Sequence, residues 1–238
     1  MSANLFYLAA IERFQSGDSR AARLAARAGL EIEPENGQLH QILGLAEYHL
    51  ENLSAAVFHI EYASTSVRLD VGPQLALADA YLKFGRVPAA DAIYRFLAET
   101  GRCPTPLLAE VARGLGRIGA DDTALKVCQR LTRLRPGWHS GWYAVAYYLG
   151  RLGRPTCEVL EPLRSAFELS PETIHYRISL TLAYASLDRP TEAGDLVATI
   201  DPTAVRCRCQ CRELMELCER LDRPELAFGF HERLERND

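Results

Sequence analysis

The sequence has no long apolar run and only a small excess of charge. The apolar run near its start, Leu5–Ile11, is closed by Glu12 and Arg13, and it is far shorter than the roughly 20 residues that cross a bilayer. It also lacks the basic region and cleavage site of a signal peptide. A net charge of −4 does not favour nucleic acid. We therefore expect a cytoplasmic protein with neither a membrane nor a nucleic acid as a partner.

Motifs that carry catalysis or bind metal are also missing. The six histidines are scattered, and none forms a His-x₃-His or His-Glu-x-x-His pair. The sequence contains no Gly-x-Ser-x-Gly elbow, no phosphate-binding loop and no dinucleotide fingerprint. We expect a protein that is not an enzyme, with no catalytic residue, no metal site and no cofactor.

The seven cysteines are odd in number, and four of them lie in Cys207–Cys218. Without a signal peptide, reduced thiols are favoured over disulfides. In a helix Cys207 and Cys211 would share a face while Cys209 points away, and the paired Cys-x₂-Cys spacing of a zinc site is absent. We interpret Cys211 and Cys218 as small buried hydrophobes. A thiol or metal sensor remains the alternative.

The residues that are abundant favour helices arranged in a repeat. Ala, Leu, Arg and Glu dominate the sequence and β-branched residues are sparse, which is helix composition. A period of about 34 residues places unit starts at 3, 37, 71, 105 and 139, and one inserted residue shifts the last two starts to 174 and 208. We expect one domain over 1–238, with repeats at approximately 3–36, 37–70, 71–104, 105–138, 139–173, 174–207 and 208–238.

The clearest mark of each unit is a break between two helices. It reads Phe84-Gly85-Arg86-Val87-Pro88 in the third unit and Leu152-Gly153-Arg154-Pro155 in the fifth. Glycine supplies the positive φ that a helix end favours, and proline suits the first turn of the next helix. A small residue then recurs in the second helix, which allows close packing of the pair: Ala22, Ala56, Ala90, Ala124, Ala193 and Ala227.

The fifth unit departs from this pattern. Glu158 falls where alanine is expected, Pro162 lies inside the second helix, and we place the inserted residue between Pro155 and Pro171. Proline inside a helix removes one hydrogen bond and clashes with the preceding turn. The sequence therefore predicts a second helix that is broken or that starts late, near Pro162.

These marks resemble the tetratricopeptide repeat (TPR) family. The family pattern appears in pieces, at Trp142, Leu43-Gly44, Tyr81, Tyr184, Tyr94, Pro34, Pro136 and Pro171, besides the glycines and alanines above. The resemblance covers almost the whole chain. It implies an all-α fold, a right-handed α-α superhelix (a TPR-like solenoid) of about seven helix-turn-helix repeats. It also implies that the first helix of each repeat lines a concave groove.

The groove is where we expect a partner to bind. Aromatic and arginine side chains are common anchors of binding surfaces. The candidate groove residues are Tyr48, His49, Lys83, Arg113, Arg117, Tyr143, Tyr147 and Arg151. They predict another protein or peptide as the partner, with acidic character. The alternative is that these basic residues only balance acidic residues on the outer face.

We interpret the protein as a non-catalytic scaffold or adaptor for protein–protein interaction. Two alternatives stay open, a secretion or assembly chaperone for unfolded clients and a non-catalytic regulatory subunit of an enzyme complex. Apolar residues in the terminal repeats, Leu5–Leu8 and Phe228, also predict a homodimer or a partner docked there. The competing expectation is that the ends fold back and bury these residues.

Overall fold

The computed structural model describes residues 2–101 and 103–235, and within them it contains fourteen α-helices, one 3₁₀ turn and no strand. The predicted all-α fold of helix-turn-helix repeats is confirmed. The chain forms two compact units, which meet in sequence at Thr123 and Ala124. None of the helices in the described residues is both long and apolar enough to span a membrane.

The first unit contains seven helices and the start of an eighth. Their bounds are α1 Ala3–Gln15, α2 Ser19–Leu30, α3 Gly37–His49, α4 Leu53–Ser64, α5 Val71–Lys83, α6 Val87–Glu99 and α7 Thr105–Arg117. The boundary between the units falls in the first turn of α8, Asp121–Leu134. The second unit continues with α9 His139–Arg151, α10 Thr156–Leu169, α11 Ile174–Ser186, α12 Pro190–Val197, α13 Arg208–Arg220 and α14 Pro224–Glu235.

The odd-numbered helices begin at the predicted unit starts, 3, 37, 71, 105, 139, 174 and 208. Each is followed by a turn in which one residue has a positive φ: Gly17, Glu51, Gly85, Gly119, Gly153, Asp188 and Asp222. The next amide then reaches back to the helix, as Arg86 N does to the Tyr81 carbonyl at 2.8 Å. This bond satisfies a carbonyl at the helix end and reverses the chain.

Small residues let the two helices of a pair pack closely. The alanines of the predicted series are fully or almost fully buried, at Ala22, Ala56 and Ala90 in the first unit and at Ala193 and Ala227 in the second. A Cβ placed on Gly44 of α3 would lie 2.5 Å from Ile60 Cγ1 of α4. A larger residue there would overpack the contact, which costs about 1–3 kcal/mol.

The expected break in the fifth unit is wrong, because α10 runs from Thr156 to Leu169 straight through Pro162. The inserted residue lies in the preceding turn, residues 152–155, which is one residue longer than the other turns. Val159 therefore takes the alanine position, and Glu158 is exposed. The carbonyl that Pro162 leaves without an amide belongs to Glu158, which is an exposed residue. The proline ring itself is buried.

The sixth pair contains a short second helix that the repeat pattern did not predict. Helix α12 ends at Val197, and a 3₁₀ turn follows at Pro202–Ala204. Pro202 has no amide to continue the helix. Ile200 nevertheless remains 3% exposed. Ile200 therefore occupies the buried position expected from the repeat, although α12 ends before it.

Candidate functional site

Asp79 on α5 is the centre of a polar network in the first unit. Its carboxylate accepts a hydrogen bond from the Tyr48 hydroxyl at 2.8 Å and forms an ion pair with Lys83 Nζ at 3.1 Å. The Arg117 guanidinium donates to the other carboxylate oxygen. Helices α3, α5 and α7 contribute these side chains because the equivalent face of each first helix turns the same way. The structure thus brings together three of the predicted groove residues.

Burial and hydrogen bonding move the pKa values in this network in opposite directions. Burial raises the pKa of Asp79, but the hydrogen bonds from Tyr48, Arg117 and Lys83 outweigh it and hold that pKa below its ordinary value. Burial, with the hydrogen bond to Asp79, raises the pKa of Tyr48. At neutral pH the carboxylate is therefore charged and the phenol is neutral, which keeps the network intact.

A cleft of about 520 Å³ opens beside this network. Its lining comes from α1, α3, α5, α6 and α7, namely Phe14, Leu45, Tyr48, His49, Gly72, Leu75, Ala76, Asp79, Tyr94, Leu107, Glu110, Arg113, Gly114 and Arg117. A smaller hollow of about 300 Å³ adjoins it and shares Phe14, Leu45 and Gly72. The cleft has the size of an ordinary ligand site, with an apolar floor and a polar rim.

The predicted residues play different parts around this cleft. The His49 ring is exposed and meets the Phe14 ring edge-on, with centroids 5.0 Å apart. Lys83 stands outside the lining, 5.5 Å from the centroid of the Tyr48 ring. Arg113 is exposed, and no hydrogen bond or ion pair joins it to another residue in the described part of the chain. Among the described residues that line the cleft, Arg113 is therefore the arginine that remains available to a ligand.

The charge of the cleft is more balanced than the sequence suggested. Arg113 and Arg117 line it together with Asp79 and Glu110. Two of the basic groups predicted for the groove are already paired, because Asp79 engages both Lys83 and Arg117. Asp79 is not among the groove residues predicted from the sequence, where its signal is its i,i+4 spacing to Lys83.

The other three candidates belong to the second unit. Tyr143 packs on Tyr176, with ring centroids 4.8 Å apart. The Tyr147 side chain is 50% exposed, and the Arg151 guanidinium lies 5.8 Å from its ring centroid. These residues form an aromatic and basic surface on α9 in the second unit.

The cysteine cluster divides between the core and the surface. Cys211 and Cys218 are buried, as interpreted from the sequence, whereas Cys207 and Cys209 are exposed. Burial raises the pKa of Cys218 to about 11, so this thiol stays protonated and is a poor metal ligand at neutral pH. Across residues 2–101 and 103–235, no three His, Cys, Asp or Glu side chains are placed to hold a metal ion.

No protein-family model and no curated protein sequence matches the chain. Several solved structures are similar to it. A tetratricopeptide repeat protein from Parabacteroides merdae is 13% identical with a TM-score of 0.60, and the match covers 99% of this chain and 93% of that one. YrrB, described as a TPR protein with an unusual peptide-binding site, is 17% identical with a TM-score of 0.59, over 70% and 86% of the two chains.

A third similar structure is MamA AMB-1, at 19% identity and a TM-score of 0.57, with 77% of this chain and 92% of that one covered. At sequence identities this low, the similarity shows a shared fold and nothing more. The helix pairs, their spacing and these three structures agree. The chain therefore has the fold of the tetratricopeptide repeat proteins, as its sequence resemblance to that family predicted.

Proposed function

We propose that the protein is a non-catalytic scaffold that binds a segment of another protein in the cleft of its first unit. The observation that carries the proposal is the lining of this cleft, where Arg113 has no protein partner among the described residues beside an apolar floor. Peptide binding in the similar structure YrrB supports a peptide as the ligand. The proposed compartment is the cytoplasm, which keeps thiols reduced.

The lining also favours a particular kind of segment. Phe14, Leu45 and Leu75 offer apolar surface to an aliphatic or aromatic side chain of the ligand. Arg113 offers a fork of N–H donors that matches a carboxylate. The segment we propose therefore carries an acidic residue close to an apolar one. Tyr143, Tyr147 and Arg151 in the second unit are proposed as a further contact surface of the same scaffold.

The fixed network beside Arg113 contributes to binding as well. Tyr48 and Arg117 are held by Asp79 before any ligand arrives. A rim that is already ordered loses less conformational entropy on binding, which raises affinity. Arg113 attracts the acidic residue of the ligand, and the Asp79 network fixes the shape of the cleft beside it.

The test is a display library of random peptides selected on the wild-type protein, followed by fluorescence polarisation with the enriched peptides. We expect these peptides to combine an acidic with an apolar residue. Arg113→Glu should weaken their binding at least about tenfold, because a hydrogen-bonded charge contributes about 1.5–3 kcal/mol. Arg20→Glu is the matched control, since Arg20 is also an exposed arginine but lies on α2 outside the cleft.

The affinity of the wild-type protein for the selected peptides should also fall as the salt concentration rises, because screening weakens contacts between exposed charges. Equal affinity of wild type and Arg113→Glu for the selected peptides would show that the cleft is not the binding site. Arg151→Glu, measured with the same peptides, reports separately on the surface in the second unit.

A further inference from the structure

The residue that precedes α5 carries a carboxylate that does not cap its helix. Asp70 occupies the N-cap position, where an aspartate normally accepts a hydrogen bond from an amide of the first turn. Its side chain makes no such bond. Asp18 and Asn36, the N-cap residues of α2 and α3, both do so. The Asp70 carboxylate is therefore free to serve another contact.

Gln41 of α3 fixes the direction of this carboxylate. Gln41 is buried, with 7% of its surface exposed. Its Nε2 donates a hydrogen bond to Asp70 Oδ2 at 2.8 Å, and its Oε1 accepts one from the Asp70 backbone amide at 2.9 Å. In the described part of the chain no donor reaches the second carboxylate oxygen, Oδ1, and no ion pair involves Asp70, which is an exposed residue. One oxygen is thus anchored, and the other is left for a ligand.

The carboxylate lies at a hollow of about 300 Å³ that is lined by residues of α1, α3 and α5. Among the described residues of this lining, Asp70 carries a negative charge and no lysine or arginine balances it. Tyr7 and Gln15 add polar side chains that make no hydrogen bond within the described chain. Burial and the nearby charge of Asp70 raise the pKa of Tyr7, so its hydroxyl stays neutral and can accept a hydrogen bond. These oxygens match an ammonium or guanidinium group, which only donates.

An apolar floor joins this hollow to the cleft that contains Arg113. The hollow and the cleft share Phe14, Leu45 and Gly72. The nearest atom to a Cβ placed on Gly72 would be Leu45 Cδ2, at 3.8 Å, so the space in front of the α5 backbone is open. Asp70 lines the hollow and not the cleft, whereas Arg113 lines the cleft and not the hollow. A bound segment can therefore meet opposite charges on the two sides of one apolar surface.

We propose that the hollow is a second subsite of the peptide site, and that it binds a lysine or arginine side chain of the same segment through Asp70. The ligand then combines a basic residue at the hollow, an apolar residue on the shared floor and an acidic residue at Arg113. Charge complementarity supports this occupant, because Asp70 is an unbalanced carboxylate whose second oxygen has no donor in the described chain. The inference rests on the proposed function and specifies its ligand further.

The test uses the peptides selected on the wild-type protein, which we expect to contain a lysine or arginine at a constant distance in sequence from the acidic residue. Each peptide is compared, by fluorescence polarisation, with a copy in which the basic residue is glutamine. The wild-type protein should bind the basic peptide at least about threefold more tightly, the scale of an exposed ion pair. Asp70→Asn should bind the two peptides equally.

Asp70→Lys should reverse the preference, so that a peptide with glutamate in place of the basic residue binds this variant more tightly than the basic peptide does. Asp70→Asn keeps an oxygen that can accept the Gln41 bond, and the Asp70 side chain caps no helix, so circular dichroism should show unchanged helicity. Glu35→Gln and Glu35→Lys are the matched controls, since Glu35 is exposed before α3 and lines neither the hollow nor the cleft. Both controls should keep the wild-type preference.

The outcomes separate this inference from the proposed function. Arg113→Glu should weaken binding of the basic and the glutamine peptide by the same factor, so that the preference for the basic peptide remains. Selected peptides without a basic residue, or a preference that Asp70→Asn leaves unchanged, would overturn the subsite at Asp70, while Arg113→Glu still decides the proposed function. A preference that falls equally in the Glu35 controls would show a general effect of net charge and would also overturn the subsite.

Discussion

Asp79 orders its surroundings with one carboxylate. Its two oxygens engage Tyr48, Lys83 and Arg117, and its side chain is only 17% exposed. Lys83 and Arg117 are about half exposed, so water screens their charges and each pair contributes little by itself. The network therefore acts mainly by fixing side-chain positions at the rim of the cleft.

We predict that Asp79→Asn lowers the free energy of unfolding at pH 7 by about 1 kcal/mol. The pKa of Asp79 is depressed in the folded protein. The stabilisation is therefore present above the pKa of the unfolded chain and is lost as the pH falls through the folded pKa. The difference in free energy of unfolding between wild type and Asp79→Asn should therefore shrink below about pH 4. Urea unfolding followed by circular dichroism, from pH 3 to pH 7, measures this difference.

The matched control for that experiment is Asp91→Asn. Asp91 pairs with Arg95 within one helix on the exposed side, and such pairs contribute only about 0.3–0.5 kcal/mol. A variant at Asp79 that unfolds no more easily than the one at Asp91 would show that the network is not a stabilising feature.

At the scale of single elements, α10 contains a proline whose ring is buried and whose freed carbonyl belongs to an exposed residue, Glu158. Pro162 follows the first turns of α10, and its ring is buried. The longer turn at 152–155 shifts the register so that Val159 faces the core. Pro155 precedes the helix with φ −55° and ψ 142°, values that proline adopts without strain.

We predict that Pro162→Ala stabilises the protein by about 1 kcal/mol. The alanine amide regains the hydrogen bond to the Glu158 carbonyl, and interior proline costs a helix about 3 kcal/mol. Loss of the buried ring offsets part of this gain, at about 1–2 kcal/mol. The midpoint of thermal unfolding measures the net change.

Pro155→Ala is the control and should act in the opposite direction. Pro155 lies before the first helical residue and is exposed, so alanine gains no helix bond there and the unfolded chain becomes more flexible. A lower midpoint for Pro162→Ala would mean that the packing of its ring outweighs the missing hydrogen bond.

At the scale of the whole molecule, each unit has its own buried core. Leu39 and Leu43 lie in a cluster of the first unit, and Leu214 and Phe230 lie in a cluster of the second. Helix pairs in repeat proteins are stabilised mainly by their nearest neighbours. A defect in one cluster should therefore remain local.

We predict that Leu39→Ala and Leu214→Ala each destabilise the protein by about 2–4 kcal/mol, because both side chains are 0% exposed. Hydrogen exchange with mass spectrometry should show faster exchange in the first unit for Leu39→Ala and in the second for Leu214→Ala. Exchange that rises equally in both units for either variant would contradict local stabilisation.

Some features of the candidate site follow from the sequence and others do not. Lys83 and Arg117 occupy equivalent positions in their repeats, and helical spacing puts the positions of Tyr48 and Arg113 on the same face of the first helix. The residue with which each of them forms a hydrogen bond or ion pair was not predictable from the sequence. Asp79 lies on the same helix as Lys83 but also binds residues 31 and 38 positions away, and contacts that distant depend on how the helices pack.

The sequence by itself determined the succession of helix pairs, the starts of the odd-numbered helices and the buried alanines between them, because the period of the repeat and the helical period act locally and recur seven times. The tertiary structure alone decided where the extra residue lies, that α10 stays continuous, and that Asp79 engages Lys83 and Arg117 while Arg113 stays available. Those outcomes depend on which side chains meet across helices and on which carbonyls water can reach, and neither is set by residues adjacent in the chain.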